Sequence, residues 1–516
     1  MRRALAVGIL ALVAVAGAAL TIGGLMFARA DTSTVGDLRF ENALRIPPLL
    51  EPRLEGGRKV FDLRLQVGRT ELIPGRPTET WGASQSHLGP TLRARRGDEV
   101  RVEVANGLPE ASTLHWHGMH LPASADGGPH QPIAPGATWS PGWRIDQPAA
   151  TLWYHPHPHG DTEDHVYRGI AGLFIVDDEE SASLPLPGDY GVDDIPVIVQ
   201  DKRLHDDGSL DFGDGLIAPT GRLGSTVLVN GTHDPHLDVE TERVRLRLLN
   251  ASTARVYDLG FADGREFAVI AGDGGLLERP VGRTRVLLSP AERVEVVVTL
   301  EPGERAVLRS SPPDLGANFF EERFAGGDDA FDLLELRAAP ALRPSPEVPA
   351  RLAADDPPTE ADAVRTRSFR LQGQGRINGR EMDMDRIDEV VPAGDTELWE
   401  VENGTGTPHN FHVHGTSFRV LEVGGRPAPE ELRGPKDTVY VPPGKDVRFL
   451  VRFEHADPET PLMYHCHLLR HEDRGMMGQL LVVDEGHETG TPRHVASAHA
   501  DERPRSSSWA PWGPAL

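Results

Sequence analysis

An all-β chain of sandwich domains is predicted by three features: short runs of Val, Leu and Arg, turn-forming residues between them, and few long amphipathic helical patterns. Arg243-Val244-Arg245-Leu246-Arg247-Leu248-Leu249 and Arg293-Val294-Glu295-Val296-Val297-Val298 exemplify the runs, and 55 glycines and 44 prolines supply the turns. A length of 516 residues implies about three domains. Residues 1–30 come first: Met1-Arg2-Arg3, an apolar run from Ala4 to Phe27, then Ala28-Arg29-Ala30. They read as an export signal with a small-residue cleavage site. The run is also just long enough to span a bilayer, so a retained membrane anchor over residues 4–27 is the alternative. Either reading puts the protein outside the cytoplasm, whether extracellular, periplasmic or held in the cell envelope.

Residues 35–180 are expected to form the first sandwich, ending in the strand-like Gly172-Leu173-Phe174-Ile175-Val176. Residues 190–338 have β patterning and no metal-ligand motif, as expected of a spacer. The Ala-, Pro- and Arg-rich segment 339–365 reads as a linker. Residues 366–486 form the last sandwich, and the polar stretch 487–516 is expected to be disordered.

The chemistry is concentrated in four clusters: His115-Trp116-His117, His155-Pro156-His157-Pro158-His159, His409-Asn410-Phe411-His412-Val413-His414, and His465-Cys466-His467 with His471 and Met476 close behind. Cys466 is the one cysteine in the chain. A thiolate, two imidazoles and a thioether make a blue-copper electron-transfer site. Cys466, His471 and Met476 supply three of these ligands, with Met477 the weaker axial choice. Side chains on a strand alternate faces, so each His-x-His pair points one way. His465 and His467 would then face one metal site and Cys466 another. His409, an odd number of residues before His412, would face away from it and complete the blue site.

These motifs, in this order, resemble the multicopper oxidases, in particular the bacterial three-domain branch of spore-coat laccases, bilirubin oxidases and cuprous oxidases. The resemblance covers roughly residues 40 to 486 and implies three cupredoxin-like Greek-key β-sandwiches. It also implies four copper ions: a type 1 copper on His409, Cys466, His471 and axial Met476; a type 2 copper on His115 and His412; and a type 3 pair on His117, His155, His157, His414, His465 and His467. The cluster would lie between domains one and three. Four coppers match the four electrons needed to reduce O2 to water while a phenol, an aromatic amine or Cu+ gives them up singly. Asp126 and Glu472 stand where the family keeps its proton relay, although Ala-Asp-Gly-Gly is equally a turn signal for Asp126.

Other readings account for less. A thiol protease would use one histidine and leave nine unexplained. A structural zinc site closes with four ligands. A copper carrier favours soft tracts, and none of the eight methionines forms one. His159 is placed outside the ligand set because prolines and Gly160 end its strand. The chain is expected to be a monomer, and one cysteine excludes an intramolecular disulfide. A net charge of −25 argues against nucleic acid and fits solubility. Phenols or aromatic amines are the expected donors; cuprous ion, bilirubin and a non-enzymatic envelope scaffold are the alternatives.

Overall fold

The computed structural model describes residues 23–487 except 214, 216, 355 and 356, together with Gly17 and Thr21. Of the expected signal or anchor over residues 1–30, positions 1–16, 18–20 and 22 lie outside the described residues, as does all of the expected disordered tail 487–516 beyond residue 487. No helix among the described residues is long and apolar enough to cross a membrane.

Among the described residues six sheets pair into three β-sandwiches, as the sequence patterning predicts. One topology recurs in all three. Arg58–Ile73 runs parallel to Glu99–Asn106, Asp194–Lys202 to Arg243–Asn250, and Arg365–Gln372 to Thr396–Asn403. On the facing sheets Gly172–Asp177 runs parallel to Leu92–Arg95, Phe331–Arg343 to Pro235–Thr241, and Met477–Val483 to Glu389–Pro392. Parallel neighbours cannot be joined by a hairpin, so the chain crosses between sheets in Greek-key fashion each time.

Each sandwich has its own core. Phe61, Trp116 and Phe174 centre the first, Val197, Leu246 and Phe331 the second, and Phe369, Trp399 and Phe411 the third. Alternation builds them: along Glu99–Asn106, Val100, Val102 and Val104 are buried while Arg101 and Glu103 stay partly exposed, as a two-residue period requires.

Some strands are buried on both faces. Ala150–His155, Asp194–Lys202 and Met477–Val483 are covered along their whole length, because neighbouring elements close over the outward face too. The arginines of Arg243–Asn250 show the consequence. Alternation puts Arg245 and Arg247 on the outer face, yet Arg247 is only 3% exposed. Its guanidinium pairs with Asp194 and Glu295 and donates to Thr151 Oγ1 of the first sandwich at 2.6 Å. Buried charge is tolerated when it is paired in this way.

The stretch expected as a linker is also pinned. Phe331–Arg343 runs into it as a strand. Arg243 Nη1 then donates to Ser345 O at 2.6 Å and Pro346 O at 3.0 Å, and Val348 and Leu352 pack against Ile270 and Val297. At the other end Asn42–Ala43 joins the middle sandwich by pairing with Pro235–Thr241.

Glu295 gives this interface a pH signature. Burial alone would raise its pKa, but Arg245, Arg247 and the Thr151 hydroxyl hold it down at about 2, below its ordinary 4.5. A carboxylate depressed on folding stabilises fully above its unfolded pKa and loses that contribution as pH falls through the folded one. The melting temperature should therefore drop between about pH 4.5 and pH 2, and Glu295→Gln should flatten that part of the curve. An unchanged slope in the variant would contradict the assignment.

Candidate metal centre

The histidines sit on, or just beyond the ends of, matching strands of the outer sandwiches, with His471 on the short helix Leu469–Asp473. In the first, His115–His117 pairs with Ala150–His155, and His155 lies opposite His115. Trp116 turns into the core and leaves His115 and His117 on the other face. In the third, His409–Val413 pairs with Asp457–His465, His412 lies opposite His465, and Phe411 and Val413 turn inward. The two histidine faces meet, and every one of these histidines is at most 1% exposed.

Two triads of ring nitrogens result. His465 Nε2 lies 3.1 Å from His157 Nε2 and 3.0 Å from His414 Nε2. His155 Nε2 lies 3.4 Å from His117 Nδ1 and 3.3 Å from His467 Nε2. His115 Nε2 and His412 Nε2 have no hydrogen-bond partner, and their rings stack on His414 at 3.9 Å and His117 at 3.7 Å.

The atoms behind the rings fix the tautomers. The Nδ1 atoms of His115, His412, His155 and His465 face the carbonyls of Asp126, Asp437, Pro156 and Cys466 at 3.0, 2.8, 2.8 and 3.1 Å. A carbonyl only accepts, so Nδ1 carries the proton and Nε2 presents a lone pair. His414 Nδ1 donates to Asp126 Oδ2 at 2.8 Å with the same result. Burial, reinforced by neighbouring rings, holds His155, His412 and His414 well below the ordinary imidazole pKa, and burial keeps His157 at about 4. Neutral lone pairs about 3 Å apart have no proton to share, as between His414 and His465, and they repel unless cations lie among them. These residues fit metal ions.

A second group lies on the other side of Cys466. Its Sγ is 3.5 Å from His409 Nδ1 and 3.7 Å from His471 Nδ1, and these two nitrogens are 3.0 Å apart. His471 Nε2 donates to Pro219 O at 2.8 Å, which leaves Nδ1 with the lone pair. Burial pushes the thiol up to about 12. One sulfur with two imidazoles suits copper. Met476 is fully buried in the same apolar cluster, and its carbonyl accepts from Cys466 N at 3.1 Å.

Asp126 caps the short turn Ala123–Ala125 and also faces the histidines, with Oδ1 3.3 Å from His115 Nδ1. Glu472 lies 3.5 Å from His157 Nδ1 and 3.2 Å from His465 Nδ1. Burial opposes its ionisation, but those imidazoles outweigh it and hold its pKa well below the carboxylate range. Next to it Asp473 is pushed well above that range, by burial and then by the Glu472 charge. His159 joins none of the ligand groups among the described residues.

Sequence reasoning missed Asn410 and Asp437. Asn410 Oδ1 accepts from His467 N at 2.6 Å and lies 3.6 Å from Cys466 Sγ, while its amide holds Ser289 and Pro290 of the middle sandwich. Its place between His409 and His412 was the one signal available. Asp437 Oδ1 lies 2.9 Å from His117 Nε2, and no neighbouring histidine marks it in the sequence.

Models of the family described as multicopper oxidase match residues 65–181 and 345–486. The multicopper oxidase mco of Staphylococcus aureus is 34% identical over 86% of this chain and 93% of its own length. The chain belongs to the multicopper oxidase family. It is therefore a copper-binding oxidoreductase that takes electrons from a reducing substrate and uses O2 as acceptor. The cell division protein FtsP of Edwardsiella tarda is 39% identical over 90% of this chain and 97% of its own length. Among solved structures, the laccase-like multicopper oxidase CueO of Ochrobactrum sp. is 37% identical, covers 85% of this chain and 100% of its own, and superposes with a TM-score of 0.78.

If the lone pairs are strained without metal, copper at about 100 times its Kd should stabilise the fold by about 2.7 kcal/mol. Calorimetry of the apo-protein with and without copper should show a higher Tm that a chelator reverses. An identical Tm in both would contradict the fit.

Proposed function

We propose a laccase-type oxidase that removes single electrons from phenols or aromatic amines and reduces O2 to water with four coppers. The observation that carries this is one tripeptide: the Cys466 sulfur lies 3.5 Å from His409 Nδ1, while His465 and His467 on either side reach the two separate triads. His409, Cys466, His471 and Met476 would hold the type 1 ion. His115 and His412 would hold the type 2 ion, and His117, His155, His157, His414, His465 and His467 the type 3 pair. Copper, when bound, supplies one-electron uptake at the cysteine site and four-electron delivery to O2 at the histidine cage.

The protein's own residues do the rest. The Cys466 backbone joins the two sites through covalent bonds. Asp126 and Glu472, each against two cage histidines, would relay the protons that water formation consumes. The sandwiches divide as residues 35–180, 190–338 and 366–486, with the first and third contributing the ligands. Phenols are favoured over cuprous ion because no methionine tract offers soft ligands for it, and the Ochrobactrum relative is described as having oxidase activity towards lignin model compounds. Residues 1–30 would export the chain to the envelope or beyond, cleaved or kept as an anchor, and the enzyme would act as a monomer. The likeness to FtsP favours a second role in cell division, carried on the same scaffold.

Oxygen uptake by the copper-loaded protein tests the substrate. Turnover of 2,6-dimethoxyphenol should exceed that of cuprous ion, and the reverse order would reassign the enzyme to metal oxidation. Cys466→Ser should abolish both the blue absorption and turnover. His157→Ala should keep the colour and lose oxygen reduction; a variant that still consumes oxygen at the wild-type rate would remove His157 from the cage.

A further inference from the structure

The middle sandwich contributes no histidine to the cage, yet its strand Arg293–Thr299 sends a fully buried guanidinium to the back of it. All five N–H groups of Arg293 are used. Nε donates to Thr151 O of the first sandwich at 2.9 Å. Nη1 donates to Ala291 O at 3.1 Å and Asp437 Oδ1 at 2.7 Å, and Nη2 to Asp273 O at 2.9 Å and Asp437 Oδ2 at 2.5 Å. One side chain thus ties all three sandwiches together. The bidentate pairing fixes both oxygens of Asp437. A Cβ at Gly118 would come within 2.4 Å of Asp437 Oδ2 and 2.7 Å of Arg293 Nη2, so the pair is seated hard against that backbone.

Asp437 then determines the state of two ligands. Its Oδ1 lies 2.9 Å from His117 Nε2, and its backbone carbonyl accepts from His412 Nδ1 at 2.8 Å. The two rings stack at 3.7 Å with 12° between their planes. An ionised carboxylate accepts and does not donate, so His117 must carry its proton on Nε2 and turn the Nδ1 lone pair inward. His117 faces the cage through Nδ1, whereas His155 and His467 beside it use Nε2. The Thr438 hydroxyl also lies 3.1 Å from His117 Nε2, but a hydroxyl can donate or accept, so only the anchored carboxylate forces that tautomer.

We propose that Arg293 and Asp437 form a positioning clamp that sets the tautomer of His117 and the stacking of His117 on His412, so that the middle sandwich tunes the cage as well as spacing its neighbours. The proposal rests on the copper-cage reading above.

Asp437→Asn and Arg293→Lys test it, each analysed after copper loading and dialysis for copper per chain, blue absorbance and the type 2 electron paramagnetic resonance signal, with apo-protein Tm alongside. The clamp predicts full blue absorbance, a weakened or altered type 2 signal, and cage affinity lower by about 10–100-fold, the usual cost of losing a ligand's hydrogen-bond partner. A merely structural pair would lower the apo Tm and leave copper content and the type 2 signal unchanged, which overturns the proposal. Loss of the blue band together with the type 2 signal in a folded variant overturns it too. If Arg293→Lys does not fold, Asp437→Asn decides alone. A wild type without a type 2 signal would remove the cage reading and the clamp together, whereas a normal wild type beside normal variants removes the clamp alone.

Discussion

Imidazole lone pairs facing one another in a buried seam are the constraint on which the rest of this molecule depends. For six of the eight cage rings the outward nitrogen is tied to a backbone carbonyl or a carboxylate, so the inward nitrogen has no proton to offer. Such an arrangement is unfavourable in the empty protein and becomes favourable when cations enter it. The surrounding sandwiches must be rigid enough to hold it open in the meantime. Burial on both faces of strands such as Ala150–His155 supplies that rigidity, because packed interiors yield little to local strain.

The same logic explains the polar framework behind the seam. Charges this deep survive only in pairs, and two of the pairings cross sandwich boundaries, Arg293 with Asp437 and Lys436 with Asp273 and Glu292, while Arg247, paired within its own sandwich, hydrogen-bonds to Thr151 across one. Each contact stabilises the docking of the sandwiches and also aligns the two histidine faces. Asn410 does this most economically. Its amide is anchored on the middle sandwich while its oxygen holds the backbone of His467, so the peptide joining the two metal groups is itself held from outside.

Much of this was legible in the sequence because it depends on short-range periodicity. A two-residue repeat puts His115 with His117 and His412 with His414, and separates Cys466 from His465 and His467, whatever the rest of the chain does. Opposite parity led to His409 by the same rule. What escaped depends on contacts far apart in the chain. Arg293 meets Asp437 across 144 positions, and no local pattern signals it. Alternation marks Arg247 as outward, which is correct, but cannot say that another sandwich covers that face. The segment after Ala338 has the composition of a linker and is held down by Arg243, a partner from a distant strand. The threefold topological repeat was expected only through the family resemblance, because it is preserved in strand connections and not in the residues that fill them.

The central claim is that metal lies among these particular nitrogens, on both sides of Cys466. An anomalous difference map collected at the copper absorption edge from copper-loaded crystals tests it most directly. The account predicts one peak among His409, Cys466 and His471, and a separate cluster of peaks enclosed by the eight histidines of the seam. Peaks confined to the surface, or a seam without anomalous signal beside a filled cysteine site, would contradict it.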